Sequence, residues 1–209
     1  MSPQKVPTPL IGLLTIALLT ITLPTVSAAD KKPMIEPGHA TLASPAVTNE
    51  FIHQQFGDNC SLLAGPPQFV GDLNGDGVDD LVVAAKCKNP MADRDEYKFV
   101  VADPFDTYLG YSDVRVTSTF ASDEPERRGI CLLIIHGVGK DGWRSSAPKP
   151  KFLLINLPFK TLAVKRLATK KRAMLAVFME EQGEGEDTSS VLFWDGKRYR
   201  YTQLGSTME

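Results

Sequence analysis

The chain has 209 residues and a formal net charge of −2, with 23 basic and 25 acidic side chains and 43% hydrophobic residues. This near-neutral balance gives no electrostatic reason to expect a nucleic-acid or anionic-membrane partner, and the hydrophobic share is typical of a globular protein. We therefore expect neither nucleic acid nor a membrane among its partners.

Residues 1–29 have the three parts of an export signal. Lys5 supplies a positive start, Leu10–Leu23 is an apolar run, and Val26–Ala29 places small residues at a cleavage point after Ala28 or Ala29. The apolar run is too short to cross about 30 Å of hydrocarbon as a helix. We predict a protein exported to the periplasm or the exterior, one charge unit more negative than the full chain because Lys5 is removed.

About 180 residues then remain, enough for one domain with its own core. Residues 30–46 contain Lys-Lys-Pro, Glu-Pro-Gly and Ser-Pro sequences, which indicate a flexible leader. Val47 with Phe51, and Ile52 with Phe56, are at helical spacing, and Gly57 is a natural stop, so the pattern predicts a helix over 47–57. We expect residues 47–209 to form a single domain.

An acidic loop at 72–80 follows. The side chains of Asp72, Asn74, Asp76 and Asp80 stand at positions 1, 3, 5 and 9, and the Val78 carbonyl falls at position 7. Calcium takes six to eight oxygen ligands, and alternate positions of a tightly curled loop point toward a common centre. The spacing therefore predicts a calcium site, with these five residues as ligands and water completing the sphere.

The segment after the loop decides which kind of calcium loop it resembles. Position 12 is Val83, inside the apolar strand Leu81–Ala85, where an EF-hand or dockerin-type loop would carry an acid and a helix. Residues 69–85 therefore resemble an FG-GAP (integrin-alpha-like, VCBS-type) calcium repeat, a strand–loop–strand form. These repeats usually occur several times as propeller blades, but one copy is present here. The alternative is a metal-free hairpin turn.

The remaining segments are mostly short strands, which argues against a parallel doubly wound sheet. We expect an α+β fold, a mainly antiparallel sheet with one N-terminal helix. The predicted strands after the loop are 98–102, 114–120, an apolar central strand within 129–139 that ends in a Gly-rich corner, and 152–157. A hairpin of 162–167 with 173–179 and a closing hairpin over 191–201 follow, and the Asp195-Gly196 centre of the closing hairpin suits a type I′ turn.

Residues 103–113 form an aromatic-rich connection that includes Tyr108 and Tyr111. Aromatic side chains on a loop either cap the core beneath a long connection or offer a platform for a ligand or another protein. The sequence favours the capping role and leaves the platform, for another exported protein or a small ligand, as the alternative.

The three cysteines are expected to form one disulfide in an oxidising compartment. Cys60 and Cys87 bracket the acidic loop, and antiparallel strands around a loop bring their ends together. Cys131 lies within an apolar strand and is expected to be a buried free thiol. A Cys87–Cys131 pairing across neighbouring strands stays open.

His136-Gly137-Val138-Gly139 looks like the oxyanion corner of lipase-type hydrolases. That chemistry also needs a Gly-x-Ser-x-Gly elbow and a later histidine, and His136 is the last histidine of the chain.

We therefore do not expect an enzyme. We expect a small exported calcium-binding module with a structural role or a role in binding a ligand or another protein. The alternatives are a hydrolase of unusual type that uses this corner, and an inhibitor or accessory protein of another secreted protein.

Overall fold

The computed structural model describes residues 40–111, 127–168, 173–181 and 188–206. In these ranges β-strands predominate and the helices are short. The strands are β1 (Thr41–Leu42), β2 (Cys60–Leu62), β3 (Phe69–Gly71), β4 (Asp80–Cys87), β5 (Val100–Ala102), β6 (Ile130–Ile135), β7 (Lys151–Leu154), β8 (Thr161–Ala168), β9 (Ala173–Glu181), β10 (Thr188–Trp194) and β11 (Tyr199–Ser206). The helices are α1 (Asn49–Phe56), α2 (Arg94–Tyr97), α3 (Pro104–Tyr108) and a 3-10 helix at Gly139–Arg144.

Strand β4 is central to the first sheet, whose order is β1-β3-β4-β6-β7-β5. On one side, β3 pairs with its first half and β2 with its second half; on the other side β6 pairs along most of its length. The pairs are antiparallel except for β5 with β7. The second sheet has the order β11-β10-β9-β8, and its pairs are all antiparallel.

Side-chain alternation along the central strands separates two apolar layers, because successive residues of a strand point to opposite faces. In β4, Leu81 and Val83 join the layer that contains α1, whereas Val82 packs toward the second sheet. In β6, Leu133 and Leu132 divide in the same way. Both faces of the first sheet are therefore covered, which explains why these strands appear as continuous apolar runs in the sequence.

The predicted N-terminal helix is confirmed as α1. The Thr48 side chain accepts a hydrogen bond from the Phe51 amide, which caps the first turn, and Gly57 follows the last turn with φ +84°. Ile52 and Phe56 are fully buried against the first sheet. Part of the predicted leader also belongs to the fold, because β1 pairs with β3.

The expectation of a single helix was incomplete. Helix α3 occupies the aromatic connection, where Asp103 accepts a hydrogen bond from the Asp106 amide and Pro104 stands at the first helical position. Asp followed by Pro is a known helix-start signal, which the prediction of an aromatic-rich connection at 103–113 did not use. Helix α2, at 94–97, is a single turn.

The two sheets agree with the coarse prediction of a mostly β protein. Both hairpins of the second sheet form, and the apolar central strand predicted within 129–139 is β6. The closing turn is not type I′, which needs positive φ at two residues. Among the turn residues 195–198 only Gly196 has positive φ, and the Asp195 side chain accepts hydrogen bonds from the amides of Lys197 and Arg198. The strand predicted at 114–120 and the export signal lie outside the described residues.

The predicted disulfide Cys60–Cys87 is present, and Cys131 is a buried free cysteine. Cys60 and Cys87 are directly opposite each other in the register of β2 and β4. Within the described part of the chain no helix is long and apolar enough to cross a membrane.

We expect Leu132→Ala to lower the free energy of unfolding by about 2–5 kcal/mol, because it leaves a cavity between the two sheets at a side chain with no exposure. Val100→Ala is the control, since Val100 is 54% exposed on β5 and should change stability by only about 0.5 kcal/mol. Urea denaturation of both variants measures the difference. Equal effects would contradict the layer assignment.

Candidate metal centre

The acidic loop connects β3 to β4 and is folded around the Asp72 carboxylate. One oxygen of Asp72 accepts hydrogen bonds from the amides of Gly75 and Asp76 at 2.7 and 3.1 Å, and the other accepts from Gly77 at 2.8 Å. Gly75 and Gly77 have φ angles of +83° and +82°, a left-handed conformation that glycine adopts without strain. The two glycines therefore let three amides turn toward one carboxylate.

Asn74 and Asp76 continue this network on the exposed side of the loop. The Asn74 side-chain nitrogen donates to Asp76 Oδ2 at 2.8 Å, and the Asn74 side-chain oxygen accepts from the Asp76 amide at 2.9 Å. Asp76 Oδ1 accepts from the Val78 amide at 2.8 Å. The loop thus brings together three of the predicted ligand side chains, those at positions 1, 3 and 5, together with the backbone of the residue at position 7.

Asp80, the fifth predicted ligand, has a different environment. Its side chain is fully buried at the start of β4, where Oδ2 accepts from the Leu73 and Asn74 amides at 2.9 and 3.3 Å. Oδ1 accepts from the Gly137 amide at 2.7 Å. Through these three amide hydrogen bonds the buried carboxylate stabilises the local backbone and joins the loop to the segment that follows β6.

That segment is the Gly-rich corner 136–139, which the sequence linked to hydrolases. The Trp143 amide donates to the Asp79 carbonyl at 3.0 Å, so the 3-10 helix also holds the loop. A Cβ at Gly137 would lie 2.2 Å from the Asp79 carbonyl oxygen. Glycine is needed at position 137 because the two backbones approach too closely for any side chain. Sequence reasoning identified both segments but did not predict that they touch.

Burial dominates the electrostatics of Asp80. It raises the pKa of this carboxyl to about 7, although the Gly137 and Leu73 amides lower the pKa and thereby oppose the shift. The negative charges of Asp76 and Asp72 raise the pKa further. A positive charge in the loop would favour the ionised form of Asp80.

His136 is a core residue, 3% exposed, in an aromatic cluster between the sheets. Its Nε2 is 2.7 Å from the Tyr199 hydroxyl, and its ring contacts those of Phe152 and Trp194 at centroid distances of 4.8 and 4.9 Å. Burial lowers the pKa of His136 to about 4, so the ring is neutral near pH 7. The histidine packs the corner against the second sheet.

The donor chemistry of the loop fits calcium, since Asp72, Asn74, Asp76 and the Val78 carbonyl all supply hard oxygens. Among the described residues, however, no group of three or more His, Cys, Asp or Glu side chains is arranged to hold a metal ion. The loop carboxylates point at the backbone amides with which they form hydrogen bonds, and this accounts for the absence of such a group among the described residues. Asp72 Oδ2 and both carboxylate oxygens of Asp76 accept one hydrogen bond each, so each keeps a lone pair with which it could bind a cation.

The aromatic segment around α3 has two kinds of residue. Phe105 and Tyr108 contact the ring of buried Tyr201 at centroid distances of 5.2 and 5.3 Å. Leu109 and Tyr111 are 53% and 69% exposed. Phe105 caps the core, as the sequence favoured. Tyr108 is 46% exposed and lies on the surface with Leu109 and Tyr111, although one side of its ring contacts Tyr201.

No protein-family model matches this chain, and neither the curated proteins nor the solved structures contain a significant match.

We expect Gly137→Ala to lower the melting temperature strongly, because the new Cβ would overlap the Asp79 carbonyl and separate the Gly137 amide from Asp80. Overpacking of this kind typically costs about 1–3 kcal/mol. Val138→Ala is the control, since it removes bulk from the neighbouring, partly exposed residue without adding any. Thermal unfolding of both variants checks the contact, and a melting temperature of Gly137→Ala equal to that of the parent chain would refute it.

Proposed function

We propose that this protein is a small exported calcium-binding module whose loop at 72–80 takes one calcium ion and is stabilised by it. The observation that carries the proposal is the gathering of Asp72, Asn74 and Asp76 in a loop curled around Asp72. The proposed ligands are these three side chains, the Val78 carbonyl and Asp80, with water completing the sphere. Calcium would supply positive charge where three carboxylates otherwise repel one another.

Within this set Asp80 has a second role. Its buried carboxylate already accepts three amide hydrogen bonds. We therefore propose that Asp80 positions the loop as well as coordinating the ion. Asp72, Asn74 and Asp76 are more accessible and would provide the exposed side of the site. The resemblance of residues 69–85 to an FG-GAP repeat supports the same assignment.

Export is supported by the disulfide as well as by the N-terminal sequence. Cys60–Cys87 joins β2 to β4, and disulfides persist mainly in oxidising compartments such as the periplasm and the exterior. A calcium site also suits those compartments, where extracellular modules bind the ion with dissociation constants of about 10⁻⁴–10⁻³ M.

A non-catalytic role is the better proposal for the Gly-rich corner. An oxyanion site needs backbone amides aimed at a reacting group, but the Gly137 amide donates to Asp80 and His136 is enclosed by aromatic rings. We therefore assign the corner to support of the acidic loop rather than to hydrolysis.

We expect calcium to raise the melting temperature of the mature protein. A ligand that binds only the folded state at ten times its dissociation constant stabilises by about 1.4 kcal/mol. For a chain of this size that corresponds to roughly 3–5 °C. The measurement is a thermal melt in chelator and in millimolar calcium, with magnesium at equal concentration as the comparison ion.

Two variants decide whether the loop is responsible for this shift. Asp76→Ala should abolish it by removing a central carboxylate, whereas Asp79→Ala should keep it, because Asp79 is exposed at position 8 and holds the Trp143 amide only through its backbone. An unchanged melting point for the parent chain, or loss of the shift in Asp79→Ala alone, would show that the loop is only a turn.

For the accessory-protein alternative, the contact surface would be the exposed residues Tyr108 and Tyr111 of the aromatic connection, together with Leu109 between them. We expect the double variant Leu109→Ser, Tyr111→Ser to leave the melting temperature within about 1 °C, since exposed substitutions rarely exceed about 0.5 kcal/mol. Phe105→Ala is the contrast, because Phe105 packs on Tyr201 and its loss should destabilise clearly. A large destabilisation by the double variant would assign the pair to the core instead of a binding surface.

A further inference from the structure

The three cysteine sulfur atoms lie close together across the first sheet and are called the sulfur row below. Cys60 on β2 is directly opposite Cys87 on β4. Cys131 on β6, on the other side of β4, is opposite Ala85 and therefore diagonal to Cys87. All three side chains are buried in the layer that contains α1, with at most 1% exposure. Cys87 therefore has a sulfur neighbour on each side.

Cys87 is bonded to Cys60, yet its Sγ is also only 3.3 Å from the Sγ of Cys131. The Cys131 thiol has a separate acceptor, the Ala85 carbonyl oxygen at 3.6 Å. A thiol that donates to that carbonyl leaves its sulfur lone pairs free for other directions. The free thiol thus lies in contact with one particular sulfur of the disulfide.

We propose that Cys60, Cys87 and Cys131 form an internal thiol–disulfide exchange site, in which Cys131 displaces Cys60 from Cys87. The Cys131 thiol gives its proton to solvent, and its sulfur attacks Cys87 Sγ. The Cys60–Cys87 bond breaks as the Cys87–Cys131 bond forms, and Cys60 leaves as a thiolate that takes up a proton. One disulfide and one thiol are present before and after, so no oxidant or reductant is consumed.

The exchange changes which strands are covalently joined. In the present arrangement the disulfide ties β2, and through it the adjacent α1, to β4. After exchange the bond would join β4 to β6, which are already paired over six residues. Strand β2 is only three residues long, so the new state would hold the α1–β2 segment by packing and hydrogen bonds alone.

Burial makes the exchange depend on local opening. The Cys131 thiol has no exposed surface, and burial raises the pKa of its thiol, so the nucleophilic thiolate is scarce in the closed protein. Partial separation of short β2 from β4 would admit solvent at one end of the sulfur row. We therefore expect exchange under mildly destabilising conditions and little in the fully closed state.

Two cysteine variants test the geometry. In Cys60→Ser, exported through the oxidising compartment, Cys87 and Cys131 should form a disulfide that peptide mapping without reduction detects. In the matched control Cys87→Ser, Cys60 and Cys131 should both stay reduced. These two residues are two strand spacings apart, roughly 9.5 Å, beyond the reach of a disulfide.

The parent protein tests the exchange itself. It is incubated at about pH 8.5, near the ordinary thiol pKa, in urea below the unfolding transition, then quenched in acid and mapped. We expect the free thiol to move in part from Cys131 to Cys60, with no Cys60–Cys131 cross-link. In Cys131→Ala no thiol should appear at Cys60, because the attacking group is gone.

The outcomes separate local exchange from general scrambling. A thiol confined to Cys131 in the parent protein, or reduced Cys87 and Cys131 in Cys60→Ser, would overturn the proposal. A Cys60–Cys131 cross-link would also overturn it, because only an unfolded chain could bring those residues together. If Cys60→Ser does not fold, the mapping of the parent protein decides alone.

Discussion

The buried carboxylate of Asp80 is the interaction on which the loop and its surroundings depend. It accepts amide hydrogen bonds from Leu73 and Asn74 on its own loop and from Gly137 on the segment after β6. Because these amides all point at the two carboxylate oxygens of Asp80, they fix the direction in which each segment leaves its strand. Because the Gly137 backbone also lies against Asp79, the two segments behave as one structural unit at this end of the first sheet.

Placing a carboxylate there has an electrostatic cost that shapes the site. Burial raises the pKa of Asp80 to about 7, and the charges of Asp72 and Asp76 add to the shift. The amide donors offset part of this cost, since hydrogen bonds to the charged form favour it. A cation in the loop would offset more, which is the physical link between the packing of the corner and the proposed calcium site.

Strand β4 connects that site to the sulfur row, because Asp80 begins the strand and Cys87 ends it. Its apolar residues between these ends are buried on both faces, against α1 on one side and the second sheet on the other. A well-packed strand of this kind positions its two ends rigidly. The loop chemistry at one end and the sulfur contact at the other therefore rest on the same core.

The sequence by itself determined much of the local structure: helix α1 with Gly57 at its end, the apolar run of β6, both C-terminal hairpins, and the Cys60–Cys87 pair. These follow from periodicity, turn residues and chain proximity, all of which act over short separations. Tertiary structure decided the rest. Asp80 and Gly137 are far apart in sequence, so no local pattern could show that the amide of one serves the carboxylate of the other. The contact of Cys131 with Cys87 likewise arises only when β6 aligns beside β4 and their side-chain alternation places both sulfurs on one face.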